Sequence, residues 1–231
     1  MNSHTNSASR REFLRRLAAG SAAWGLFPNA VSRLAADEPG ALPKGKRLIV
    51  RSAAPLNAEP ALGGLAADWI TPLELFYIRN HGPTPTIDAA GHQFSVTGMV
   101  EKPITLSVAE LVERFPAVHA TATLTCAGNR RNEFQGPKIG GVQWGAGAIG
   151  NANWAGVSLA SVLQHAGVQA GAKHVWFEGA DVISDKSESY PFGGSIPLEK
   201  ALPGERSVAP VLLATKMNDK PLTAEHGAPV R

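Results

Sequence analysis

The run from Val118 to Arg131 constrains this chain more than any other. Val118, Ala120, Ala122, Leu124 and Cys126 alternate with His119, Thr121, Thr123 and Thr125, the period-two pattern of a strand with one buried face. Cys126, the only cysteine in the chain, falls on the apolar face at the strand end. Ala127-Gly128-Asn129 then break the strand with a turn able to take positive φ, and Arg130 and Arg131 follow at once. Guanidinium groups beside a thiol favour its thiolate, which suits a metal ligand or a nucleophile. By position alone, a lone cysteine is also a packing residue, being among the most buried types.

The 231 residues are 44% hydrophobic, enough for one sizeable core and one domain with a small appendage. The net charge of +3 comes partly from arginines at the extreme N-terminus. No basic run is interleaved with aromatics, so the charge does not point to nucleic-acid binding. A single cysteine excludes an internal disulfide framework, and there is neither a Cys-x-x-Cys nor a tight His/Cys cluster to mark a zinc site.

Ser9-Arg10-Arg11-Glu12-Phe13-Leu14-Arg15 matches the twin-arginine export pattern. The small apolar run after it, Leu17 to Phe27, is short for a membrane span. These features predict a signal peptide over residues 1–36, cleaved near Ala36, and a periplasmic domain over residues 37–231 with no stable membrane anchor. Residues 37–46 read as a surface tail.

Along that domain the pattern predicts short strands at Leu48 to Val50, Gln93 to Val100, His174 to Phe177 and Val211 to Ala214. Leu73 to Ile78 is an apolar run that places Arg79 at a strand end. Ala53 to Thr71, broken by Pro55, Pro60 and Gly63-Gly64, reads as loop with one helical turn near Ala66, anchored by Trp69 and Ile70. Ser107 and Glu110 form a capping box for a helix with Val108, Leu111, Val112 and Phe115 on one face, ended by Pro116. Ser158 caps a second helix with Leu159, Val162, Leu163 and Ala166 inward and Gly167 at its end. Asn132 to Asn153 reads as a glycine-rich functional loop, Pro191 to Gly194 as a turn before a short helix from Ser195, and Asn218-Asp219 as a turn. Strands with segregated helices indicate an α+β fold, a mixed β-sheet core with flanking helices.

Leu124 to Arg131, LTCAGNRR, resembles the molybdenum-binding signature of the sulfite oxidase family. Phe76 to Pro83, FYIRNHGP, and His226 to Arg231, HGAPVR, resemble that family's pterin-binding segments, in family order. The resemblance runs from about Leu75 to the last residue. It implies the sulfite oxidase molybdopterin-binding fold and a molybdenum-molybdopterin cofactor, with Cys126 as the metal ligand. It implies cofactor contacts from Tyr77, Ile78, Arg79, Asn80, His81, Asp181, His226 and Arg231. It further implies Arg79 and Arg131 in the substrate pocket, with Trp144 as a pocket wall. Guanidinium groups fit tetrahedral oxyanions bidentately.

By the same resemblance the activity is oxidation of sulfite to sulfate by oxygen-atom transfer, with electrons passed to a c-type cytochrome. The rivals are a nitrate reductase-like or sulfoxide reductase-like enzyme and a non-catalytic cofactor-binding fragment. In family members the last motif continues into a Gly/Arg/Lys-rich stretch and a dimerisation domain. The domain is therefore expected to be C-terminally incomplete, binding cofactor weakly through a frayed Arg231, and a family-type homodimer is not expected.

Overall fold

The computed structural model describes residues 33–34, 41–185, 188–202 and 210–231. The twin-arginine segment and the Ala36 cleavage point lie outside the described residues. In chain order the strands are β1 (Arg33–Leu34), β2 (Ile49–Ala53), β3 (Leu56–Glu59), β4 (Ile78–Arg79), β5 (Ile87–Asp88), β6 (Gln93–Val96) and β7 (Ile104–Ser107). They continue as β8 (Ala117–Thr125), β9 (Ile149–Ser158), β10 (His174–Asp185), β11 (Glu188–Pro197), β12 (Leu212–Met217) and β13 (Lys220–Pro221). The largest sheet has the order β13-β12-β9-β8, a second has β2-β3-β4, and β1-β5, β6-β7 and β10-β11 form ribbons. Among the described residues every registered pair is antiparallel. With few helices beside these sheets, the fold is the expected α+β.

β8 shows the alternation its sequence predicts, exposed at Thr121, Thr123 and Thr125 and turned inward at Ala122 and Leu124. Its neighbour β9 runs antiparallel, with Thr121 opposite Asn153 and Thr123 opposite Asn151. The outer face becomes a hydroxyl-amide ladder: Thr121 Oγ1 donates to Asn153 Oδ1 at 2.7 Å, and Thr123 Oγ1 to Asn151 Oδ1 at 3.1 Å. On the inner face a Cβ at Gly150 would stand 2.6 Å from the Phe76 ring, and one at Gly156 would stand 2.0 Å from Leu213 O. Only glycine lets the ring and β12 approach so closely. The last five residues of the expected Asn132 to Asn153 loop, from Ile149, are therefore strand, with Gly150 set by tertiary contact.

The capping box closes as predicted. Ser107 N donates to Glu110 Oε2 at 2.8 Å and Glu110 N to Ser107 Oγ at 3.2 Å, opening the Val108–Arg114 helix. Leu111 is fully buried, so its truncation to alanine costs about 2–5 kcal/mol, whereas Val112 is 48% exposed and leaves the predicted face. The Leu159–Ala166 helix buries Leu159, Val162, Leu163 and Ala166 and ends on Gly167 at φ 71°. Ser158 stands at its N-cap position without a side-chain bond.

Five further expectations change. Ala53 to Thr71 holds β3, buried along its length, and Trp69 is 79% exposed rather than an anchor. Leu73–Leu75 is a 3-10 turn, leaving a two-residue β4. β6 stops at Val96. Pro191 to Gly194 lies within β11, and the short helix is Leu198–Ala201. The tail before β2 does not stay on the surface, because the Lys46 side chain is 7% exposed. The Asn218-Asp219 turn is observed, both residues at positive φ between β12 and β13.

Candidate functional site

Cys126 extends the β8–β9 pairing by one residue, its amide donating to Ala148 O at 2.9 Å. The chain then folds back: Asn129 N donates to Cys126 O at 2.9 Å, Arg130 N to Gly145 O at 2.7 Å and Asn132 N to Trp144 O at 3.0 Å. The positive φ of this turn falls on Arg130, at 66°, rather than on Ala127 to Asn129. Asn129 Oδ1 accepts from Ala148 N at 2.9 Å. The Cys126 turn is thus stitched to residues 144–148 at both ends. The Cys126 sulfur is half-buried and accepts from Gly128 N at 3.4 Å.

Residues 144–148 are held in turn by Glu59. Its carboxylate is 1% exposed, accepts from Gly145 N at 2.7 Å and from Gly147 N at 2.9 Å, and pairs with Arg51. A buried carboxylate needs such donors to offset its lost hydration. Asn57, fully buried in β3, does the same for the first motif. Its Oδ1 accepts from Asn80 N at 3.0 Å and from Arg79 Nη1 at 3.4 Å, while its Nδ2 donates to Asn80 O at 3.2 Å. Neither residue is marked by any pattern in the sequence.

Tyr77 is the meeting point of the predicted site. It is 8% exposed, stacks on Phe76 at 5.3 Å and meets the Trp144 ring edge-on at 6.5 Å. Burial raises its phenol pKa, while Arg231 and Arg79 draw it down and Cys126 adds to the rise. Cys126, Arg79, Arg231 and Trp144 therefore share one neighbourhood around this ring. Arg79 also donates to Asn80 O and approaches His81 Nε2 at 3.0 Å.

The Arg131 guanidinium occupies a slot left by glycines. A Cβ at Gly128 would lie 2.6 Å from it and one at Gly141 2.5 Å, and Nη1 donates to Val142 O at 3.0 Å. Among the described residues neither Arg79, Arg131 nor Arg231 pairs with a carboxylate. Arg130, by contrast, points outward to Glu133.

The other predicted residues stand further out. Ile78 is fully buried, so its side chain is enclosed by protein. Asn80 Nδ2 donates to Thr84 Oγ1 at 3.2 Å. His81 is exposed, with its ring 5.5 Å from Phe192 of β11. Burial first, then Arg79, lowers its pKa, against a smaller raising effect of Asp181. Asp181 sits where the β10–β11 register shifts and acts on His81, at the rim of the Tyr77 group. His226 is 4% exposed, edge-on to Phe76 at 5.5 Å, and Lys46 Nζ lies 2.7 Å from its Nε2. Arg231 is not frayed: it exchanges backbone bonds with Ala214 at 2.9 and 2.7 Å, and its guanidinium lies 5.4 Å over the Trp154 ring.

Residues 81–231 match the family described as the oxidoreductase molybdopterin binding domain. The chain belongs to this family. It is 44% identical over 180 residues to mitochondrial sulfite oxidase of Drosophila melanogaster, covering 77% of this chain and 30% of that protein. To sulfite oxidase of Gallus gallus it is 42% identical over 208 residues, covering 88% and 43%. The crystal structure of the sulfane dehydrogenase SoxCD from Paracoccus pantotrophus superposes with a TM-score of 0.65 at 29% identity, over 89% of this chain and 50% of that one. The chain thus spans half or less of the length of these relatives.

Membership in the molybdopterin-binding family implies a molybdenum-molybdopterin cofactor, and the residues present fit it. Trp144 Nε1 is buried without a hydrogen-bond partner among the described residues, a donor that lacks an acceptor. The guanidinium groups without carboxylates suit an anionic cofactor and substrate. Among the described residues no three His, Cys, Asp or Glu side chains gather as a metal site.

Proposed function

We propose that this chain is the cofactor-holding core of a periplasmic molybdenum oxidoreductase that converts sulfite to sulfate. Sulfite and water give sulfate, protons and a pair of electrons, which leave singly to a c-type cytochrome. When bound, the cofactor supplies the oxygen-atom exchange and takes up the electrons. Cys126 Sγ is the protein's ligand to the metal, a soft donor suited to it. Arg79 and Arg131 receive the oxyanion and stabilise its changing charge. Their orientation is set by Asn57 and by the Gly128 and Gly141 slot, so little ordering remains at binding. Tyr77 and Trp144 wall the site against water. Arg231 and His226 hold the pterin and its phosphate. The twin-arginine pattern supports export after folding, with cofactor inserted first.

One observation carries this reading: guanidinium groups without carboxylate partners and a lone thiol share one neighbourhood round Tyr77. The arrangement favours a tetrahedral oxyanion over a neutral sulfoxide. The test is turnover by the molybdenum-loaded protein with sulfite and oxidised cytochrome c, beside nitrate and dimethyl sulfoxide with a reduced donor. Cytochrome reduction that depends on sulfite supports the proposal. Reduction of nitrate or sulfoxide with no sulfite oxidation overturns it.

A further inference from the structure

The contact between Lys46 and His226 joins residues 180 positions apart and has a consequence for the proton on the ring. Lys46 Nζ meets Leu73 O at 2.8 Å, Glu225 Oε1 at 3.5 Å and His226 Nε2 at 2.7 Å. An ammonium has three N–H donors and no lone pair, and here every donor has its acceptor. Burial lowers the Lys46 pKa, and Glu225, its own side chain only 6% exposed, opposes that shift by pairing with the ammonium. His226 Nε2 must then present its lone pair, and a neutral ring carries its proton on Nδ1.

The surroundings agree. Burial, then Lys46 and Arg231, hold the His226 pKa well below the ordinary 6.5, so the ring stays neutral. Nδ1 has no hydrogen bond to any described residue, and it is not among the fully buried atoms left without one. Among the described residues its proton is therefore left without an acceptor. The turn that carries the ring also carries Arg231, whose Nη1 donates to His226 O at 3.4 Å. Gly227 makes this possible at φ 84°, with Arg231 Cβ 3.3 Å from where its own Cβ would be.

We propose that Lys46 is a positioning residue that fixes His226 as the Nδ1–H tautomer. The ring is thereby a neutral donor to an acceptor atom of the molybdopterin, beside the cationic Arg231. The tautomer follows from the Lys46 geometry alone, while its use toward the cofactor rests on the functional reading above. This pre-set donor costs no reorganisation when the ligand arrives.

The test is the ring nitrogen NMR spectrum of histidine-labelled protein at neutral pH, with the His226 signals assigned by their loss in His226→Gln. Wild type is expected to show Nδ1 protonated and Nε2 bare. Lys46→Met combined with Glu225→Gln, which removes the cation without stranding its carboxylate, is expected to shift the ring toward the Nε2–H form. Molybdopterin content, read by fluorescence of the released oxidised pterin, is expected to fall about tenfold, the effect of about 1.4 kcal/mol. An Nε2–H or doubly protonated ring in wild type overturns the proposal, whether or not the variant folds. A shifted tautomer with unchanged pterin content overturns the link to the cofactor. Wild-type protein that retains no pterin overturns the functional reading and leaves the tautomer result standing.

Discussion

Glu59 Oε1 accepts the amide hydrogen of Gly145 at 2.7 Å, joining β3 to the segment behind Cys126 across 86 residues of sequence. With the Gly147 bond at 2.9 Å, this one carboxylate fixes the backbone against which the Cys126 turn is registered. Glu59→Ala leaves these amides without acceptors and Arg51 without its partner. We expect a loss of about 2–5 kcal/mol in urea unfolding, with Glu59→Gln intermediate because it keeps one acceptor. A loss below about 0.5 kcal/mol for the alanine variant would contradict this role.

On the proposed reading, Arg79→Gln and Arg131→Gln each remove a charged contact to the oxyanion, worth about 1.5–3 kcal/mol. That corresponds to a fall of roughly tenfold to a hundredfold in kcat/KM for sulfite, with molybdenum content retained. Metal loss in proportion to activity would show that these arginines hold the cofactor instead.

Gly128→Ala places a Cβ 2.6 Å from the Arg131 guanidinium, which must then leave its slot. The expected result is a kcat/KM for sulfite close to that of Arg131→Gln, at near-normal metal content. In combination with Arg131→Gln the substitution should cost little more, since both act through one side chain. Additive losses would place the effect of Gly128 elsewhere.

Stability should depend on pH through His226. Its folded pKa is well below 6.5, so below that pH the unfolded chain takes a proton that the folded chain refuses. Stability is flat above about pH 6.5 and falls as pH drops, by at most about 1.4 kcal/mol per pH unit for this one group. His81, also lowered, adds in the same direction. Urea midpoints at pH 7.5 and 5.5 measure the slope, which should shrink in His226→Gln. An equal slope in that variant would assign the dependence to other groups.

Where local pattern and tertiary demand coincide, the fold was legible in the sequence. β8 alternates because one of its faces is buried, and the Val108–Arg114 helix is announced by its own capping box. β9 was hidden, because Gly150 and Gly156 answer to Phe76 and Leu213, and Asn151 and Asn153 answer to threonines of β8. β3 was hidden by Pro55 and Pro60 and by two buried polar residues, Asn57 and Glu59. Those two residues organise both halves of the candidate site. Cys126, Arg79 and Arg131 were visible because short contiguous motifs carry them. Lys46 was not, since its meaning lies in a contact with a residue at the far end of the chain.

X-ray absorption at the molybdenum edge reads directly whether Cys126 supplies the protein's bond to the metal. Cys126→Ser replaces the sulfur by a poor ligand of similar size, so the circular dichroism spectrum should not change. The variant's metal site is expected to have one sulfur neighbour fewer than wild type, and sulfite turnover to be lost. An unchanged sulfur count, or retained sulfite oxidation, would contradict that assignment of Cys126.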